Sequence, residues 1–442
     1  MKIFFISLGC DKNLVDTEEM IGLLIQNGHS ITNDETEAEA VIINTCCFIH
    51  DAKEESIHSI LEVARLKTDG VCQKLIVCGC LATRYKDEIL EEIPEIDVIL
   101  GTTSIDRILE ALEGGDNIYM DKPDRLPIVK ADRVSVTGGW YEYLKIAEGC
   151  SKNCTYCIIP KVRGSYRSYP MEYIFERAKD LVAGGAREII LVAQEVTAYG
   201  TDMPGKKKLL TKLIKGLAMI QDLKWIRLLY CYPEEITDDL IYLMKNEPKL
   251  LHYIDMPVQH ASDPILKAMG RKTDKKTIEK TIDKLRREIP DICIRTTLIS
   301  GFPGETEYDH SVLKEFVKHN RFDRLGVFEY SEEEGTPAAG FAHKVDPGVI
   351  FTRRNEIMEL QQGISAAISE SIVGKKLELI VDGYLPEDDV YVCRSYRDAP
   401  DVDGQVFVSP GEVLGRDVVS GSFIKARITG ATEYDLMGEA VL

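Results

Sequence analysis

The sequence predicts an α/β chain in three parts: a doubly wound parallel sheet, a partial (β/α)6 barrel and a small, OB-like antiparallel β-barrel. Three observations predict it. Apolar runs alternate with 3.6-period segments over residues 1–113 and again over 140–330, the pattern of βαβ units and parallel sheets. A polar stretch, 121–133, carries Pro123 and Pro127 between them and reads as a linker. From about Val373 the hydrophobic period changes to two, with turn residues between short runs. The expected domains are 1–130, 136–372 and 373–442.

In the first part, strands are expected at 2–8, 40–44, 74–78 and 96–100, and helices at 14–26, 52–66, 84–91 and 105–113. In the second, strands are expected at 143–147, 188–193, 225–230, 253–256, 292–299 and 324–330. Helices fall between them at 171–184, 208–221, 236–246, 275–289 and 307–320, with no antiparallel signal. Chemistry in such folds sits at the carboxyl ends of the strands. A connecting helix at 352–372 precedes four short strands, 377–381, 390–393, 405–408 and 423–428, expected to pair antiparallel.

The chain has 442 residues, with 54 Lys and Arg against 73 Asp and Glu, a net charge of −19. That balance argues against non-specific nucleic-acid binding, which runs on basic contacts to phosphate. The opening apolar run meets Asp11 too soon for a signal peptide, and no run of about 18 apolar residues exists to span a membrane. A cytoplasmic location is expected. Twelve cysteines then point to metal or chemistry rather than disulfides. Nine lie before residue 158, so they cluster.

Cys150-Ser-Lys-Asn-Cys154-Thr-Tyr-Cys157 follows a predicted strand directly. Three thiolates on one tight loop can hold three irons of a cubane and leave the fourth open; four cysteines are the usual complete set. A zinc knuckle would pair two C-x2-C units, and no second pair exists. This loop, after the first strand of a six-strand α/β barrel, resembles that of the radical S-adenosylmethionine (SAM) superfamily. The resemblance implies that the open iron chelates SAM, and that an electron from the cluster yields a hydrogen-abstracting radical. The cofactor supplies the reactivity; the protein supplies aim and dryness.

Cys10, Cys46 and Cys80 each lie just beyond a predicted parallel strand. Those strand ends share one sheet edge, so the three can converge and imply a second cluster with an open iron. Cys78 is expected to pack within its strand, Cys72 lies at the wrong end, and Cys231, Cys293 and Cys393 are isolated. With Ser7 to Asn13, Asn44-Thr45-Cys46, Gly79-Cys80-Leu81 and Gly301 to Thr306, the whole chain resembles the radical SAM methylthiotransferase family, and its last part a TRAM domain. The resemblance implies two 4Fe-4S clusters, held by Cys10, Cys46 and Cys80 and by Cys150, Cys154 and Cys157. One carries sulfur that a first SAM methylates; the other cleaves a second SAM. Cys47 stands where the family commonly has glycine, so a swap with Cys46 is left open.

By the same resemblance Gln194 and Glu195 hold SAM's amino group and Gly301 and Gly304 pack on its adenine or methionine; Gln259 and His260, which end the fourth strand, and Arg295, on the fifth, are expected to line the pocket. Arg163 and Arg167 are expected to be solvated. Two branches of the family matter. One methylthiolates adenosine in transfer RNA, the other the β-carbon of an aspartate in small-subunit ribosomal protein S-twelve. From Val373 onward seven basic residues face thirteen acidic ones, a net −6. An RNA grip is normally basic, whereas an acidic module complements a basic ribosomal protein. The segments 434–438 and 333–337 also resemble the ribosomal-protein branch. Expected partners are that protein or the small ribosomal subunit, and an electron donor such as flavodoxin or ferredoxin.

Overall fold

The computed structural model describes all residues except Asp69, Val71, 412–417 and Leu442, so three charges counted above, Glu412, Arg416 and Asp417, lie outside the described residues. The first sheet holds β1 (Lys2–Ser7), β2 (Ser30–Ile31), β3 (Ala40–Thr45), β4 (Lys74–Cys78), β5 (Val98–Leu100) and β6 (Ile118–Tyr119). They run in the order β2-β1-β3-β4-β5-β6, all parallel. Helices α1 (Asp11–Gln26), α2 (His50–Thr68), α3 (Gly79–Arg84), α4 (Lys86–Glu92) and α5 (Ile108–Glu113) connect them. Central β3 is buried on both faces, as crossover helices require of a parallel sheet.

Two expectations here need correction. The first helix begins at Asp11, not Leu14: Cys10 is its N-cap, and Asp11 places a carboxylate at the positive helix end. The helix expected over 84–91 is two, broken at Tyr85, and the first starts at Gly79 directly after β4. Cys80 therefore sits in a first helical turn. Gly79, at φ +90°, makes this reversal possible.

The second sheet, β14-β13-β12-β11-β10-β7, is parallel throughout. Its strands are β7 (Tyr141–Lys145), β10 (Glu188–Val192), β11 (Trp225–Leu228), β12 (Leu250–Asp255), β13 (Cys293–Ser300) and β14 (Arg324–Glu329). Helices α6 (Ile159–Val162), α7 (Met171–Ala183), α8 (Leu210–Ala218), α9 (Asp238–Asn246), α10 (Asp263–Ala268), α11 (Lys275–Glu288) and α12 (Glu307–Asn320) lie between strands. A short antiparallel ribbon, β8 (Ala147–Glu148) with β9 (Arg167–Ser168), brackets the thiol loop. Two-residue strands carry no periodicity, so the sequence pattern missed it.

Helix α13 (Pro347–Glu370) leads to the closed barrel β15 (Lys376–Leu385), β16 (Val390–Ser395), β17 (Val406–Ser409), β19 (Leu436–Val441) and β18 (Phe423–Ala431). The all-antiparallel expectation fails at one seam. The fifth strand, β19, closes the barrel by pairing parallel with β17. Closure leaves no free edge.

One apolar cluster joins the three parts. Tyr141, Tyr143, Ile190, Val192, Trp225 and Tyr253 meet Val15 of α1 and Ile380 and Ala399 of the closed barrel. The first sheet is also tied to both ends of the second. At β7, Lys145 pairs with Asp16 of α1. Beyond β14, Glu333 accepts from Lys53 at 2.9 Å and Arg84 at 2.7 Å.

Candidate active site

Three of the loops that carry thiols begin with the same two residues. Gly9-Cys10, Gly79-Cys80 and Gly149-Cys150 follow β1, β4 and β8, and the glycines sit at φ +93°, +90° and +70°. Only glycine adopts this backbone without strain. None has room for a Cβ. A methyl on Gly9 would meet Cys46 Cβ at 2.7 Å and Sγ at 2.9 Å; one on Gly79 would meet Asn44 Oδ1 at 2.3 Å; one on Gly149 would meet Ser165 O at 2.2 Å. The Gly9 and Gly79 turns thus lie tight against the end of β3, and the Gly149 turn against the 163–165 loop.

Cys10, Cys46 and Cys80 lie near enough for each to feel the others electrostatically. Cys46 faces the Gly9 turn, and Ser56 accepts its backbone N–H contact at 3.0 Å. Cys47 turns into the core cluster with Ile43, Ile60 and Leu81. Cys78 and Cys72 are buried core thiols, as are Cys231, Cys293 and Cys393. In the barrel loop, Cys150 and Cys154 both act on Cys157, and Lys152 N–H points at Cys150 Sγ at 3.5 Å. Burial pushes the Cys46 and Cys157 thiols up to about 12 and Cys150 to about 11. Such thiols keep their protons near neutrality until a metal displaces them.

Among the described residues no three His, Cys, Asp or Glu side chains close on a single ion. A cubane takes one thiolate per iron. The barrel mouth fits a polar ligand as well. Gln194 Oε1, both Glu234 carboxylate oxygens, Ser300 Oγ and Tyr330 Oη, all at or beyond the carboxyl ends of the strands, are buried without a hydrogen-bond partner, and Lys152 stands 3.7 Å from Glu234. Buried polar atoms are normally paired.

Gln194 and Glu195 follow β10. Burial lifts the Glu195 carboxyl to about 7, although Lys152 stands 3.3 Å away. Lys152 also reaches Glu235 at 2.5 Å. After β13, Gly301 N–H donates to Glu305 Oε2 at 2.8 Å, and Arg353 donates to Glu305 Oε1 at 2.9 Å, which closes the 301–305 turn. Gly301 packs against Ile350, while Gly304 has open space beside it.

Three residues expected to line the pocket have partners within the fold. Arg295 pairs with Asp255 at 2.9 Å and lies 3.5 Å from Asp403, which joins it to the closed barrel. His260 is fully buried; its Nδ1 accepts Ser262 N–H at 2.9 Å and its Nε2 lies 3.4 Å from Glu305, which makes it a core histidine. Gln259 leaves β12 at φ +72° and bridges Leu298.

Arg163 and Arg167 are not solvated. Arg163 is 1% exposed and Arg167 is half-buried, its guanidinium held on the carbonyl of Arg163 at 2.9 Å. Arg163 contacts Glu148 at 3.1 Å, Asp16 at 3.0 Å and Asn13 Oδ1 at 2.6 Å. Lys145 completes the group, 2.6 Å from Glu148. Burial would raise the Glu148 carboxyl, but Lys145 and Arg163 hold it down at about 2. One signal was present in the sequence: Asn13 and Asp16 share a helix face (i, i+3) that is polar yet needs burial.

A six-strand parallel barrel with three thiols on the loop after its first strand defines a radical SAM protein. The radical SAM superfamily model matches residues 144–317, a TRAM domain model 373–441, and an uncharacterized family, UPF0004, 2–101. The chain belongs to the radical SAM methylthiotransferases, in the family of ribosomal protein uS12 methylthiotransferases. It is 55% identical to "Ribosomal protein uS12 methylthiotransferase RimO" of Lachnoclostridium phytofermentans over 100% of both chains. It is 47% identical to the protein of that name from Geobacter sulfurreducens over 100% of this chain and 98% of the relative. Among solved structures, the radical SAM methyltransferase TsrM of Kitasatospora setae, with cobalamin and a [4Fe-4S] cluster bound, superposes with a TM-score of 0.56 at 14% identity over 76% of each chain. The SAM radical enzyme OxsB gives 0.52 at 12% identity, over 82% of this chain and 56% of that one. These two likenesses concern the fold alone.

Proposed function

We infer that this chain is a transferase that adds a methylthio group to the β-carbon of an aspartate in ribosomal protein uS12. The observation that carries the reading is two thiol trios at the carboxyl ends of two abutting parallel sheets. When bound, two 4Fe-4S clusters and SAM supply the electron, the sulfur and methyl groups and the radical that breaks a C–H bond. Cys150, Cys154 and Cys157 hold one cluster, and Cys10, Cys46 and Cys80 the other. Gln194 and Glu195 receive the ammonium group of SAM, and the Gly301–Gly304 turn borders its other end. Residues 1–130, 136–372 and 373–442 divide the work between sulfur supply, radical generation and target recognition.

The target is a basic ribosomal protein, alone or in the small subunit. The closed barrel supports this with its exposed Glu387-Asp388-Asp389 turn, which suits a cationic partner better than RNA phosphate. An electron carrier of flavodoxin or ferredoxin type reduces the clusters. The reaction takes place in the cytoplasm; among the described residues no helix is long and apolar enough to cross a membrane. Mass spectrometry of uS12 and of transfer-RNA nucleosides, from cells with and without the protein, tests the reading. Loss of a methylthio mass from uS12 supports it; loss from adenosine alone refutes it.

A further inference from the structure

Arg163 belongs to neither trio, yet it touches the surroundings of both. Its backbone serves the barrel loop: its carbonyl oxygen is one of three that fill the space a Cβ on Gly149 would need, and the next carbonyl, of Gly164, accepts Cys150 N–H at 3.1 Å. Its side chain runs the other way. The guanidinium donates to Asn13 and Asp16 on α1, the helix that Cys10 caps. Its charge also acts on Cys80, Cys10 and Cys46. All three thiols of the first trio therefore face one buried cation.

The charges around it count evenly. Arg163 and Lys145 face Asp16 and Glu148, two positive against two negative, with every member at most 3% exposed. Removing the guanidinium leaves a net negative group beside the thiols in a medium that screens poorly. Net charge and hydrogen bonds to the sulfurs are what set an iron–sulfur potential.

We propose that Arg163 is a positioning residue that sets the reduction potential of the cluster held by Cys10, Cys46 and Cys80 and fixes that trio against the barrel loop. The proposal rests on the reading of those cysteines as cluster ligands. A fixed cation favours the reduced, more negative cluster. Glu148, which shares the guanidinium, opposes it.

The test uses the full chain with Cys150, Cys154 and Cys157 all changed to Ala, reconstituted anaerobically with iron and sulfide, so that one cluster remains. A redox titration followed by electron paramagnetic resonance then compares variants. Arg163→Gln is expected to shift the oxidised-to-reduced ratio at fixed potential at least tenfold toward oxidised, about 59 mV for one electron. Arg163→Lys, which keeps the charge and loses the fork, falls between. Glu148→Gln shifts the ratio the opposite way. About four irons per chain with no shift in either Gln variant overturns the proposal alone. If Arg163→Gln loses its iron, Glu148→Gln decides: an upward shift in potential supports the proposal, and none overturns it. A parent with no iron overturns the reading of the trio, and the proposal with it.

Discussion

Gly79→Ala should empty one cluster site and spare the other. The new methyl would lie 2.3 Å from Asn44 Oδ1, 2.5 Å from Thr45 O and 2.8 Å from Thr45 N. Asn44 cannot swing aside, because its Nδ2 donates to Asn13 O at 2.8 Å and to Thr17 Oγ1 at 3.0 Å. The strand end at Thr45 must move, and Cys46 is the next residue. Left-handed backbone in alanine costs about 1–2 kcal/mol, and overpacking adds about 1–3 kcal/mol. Gly205→Ala separates the two costs: Gly205 has φ +90° with no atom within 4 Å of a built Cβ. It should show the first cost only. After anaerobic reconstitution, Gly79→Ala should hold about four irons per chain where the parent holds about eight, two four-iron clusters. Gly205→Ala should hold the parental amount. If Gly79→Ala kept all its iron and lost no more stability than Gly205→Ala, the packing argument for this trio would be wrong.

Cys46→Ala should lose about half the iron, while Cys47→Ala keeps it; iron analysis giving the reverse would exchange their roles. Burial lifts the Glu195 carboxyl to about 7, and in the proposed role it would hold the SAM ammonium only when ionised. SAM affinity, measured by equilibrium dialysis on the reconstituted protein, should therefore fall as pH drops from 8 to 6, and Glu195→Gln should flatten that dependence. Lys145→Met leaves Asp16 and Glu148 sharing one arginine; removing one partner from a buried ion pair costs about 3–5 kcal/mol. Hydrogen exchange should quicken along α1 and not along β12. Because the Glu148 carboxyl is depressed from 4.5 to about 2, its stabilisation is complete above pH 4.5 and is lost as pH falls toward 2. Protection of α1 in the parent should decline only on that acid side.

The parallel sheets were legible because strands buried on both faces leave runs such as 40–44 and 188–192 that nothing solvent-facing would carry. The places of Cys10, Cys46 and Cys80 just past strand ends were legible, as was the single loop that carries Cys150, Cys154 and Cys157. The Gly-Cys pairs at 9–10, 79–80 and 149–150 are visible too, although only the φ angles show what they do. The interdomain charges were not legible. Arg163 and Asp16 are 147 positions apart, and each alone resembles a surface residue. Likewise Arg295 looked available until Asp403, from another domain, arrived beside it. The parallel seam between β17 and β19 depends on barrel closure, which periodicity does not encode.

Buried charge holds the first sheet down at two places, Asp16 on Lys145 at the first barrel strand and Arg84 with Lys53 on Glu333 past the last. A roof pinned along opposite eaves does not open like a hatch. The two sheets are thus held as one body by charge at both edges, and loosening one edge alone leaves the other fixed.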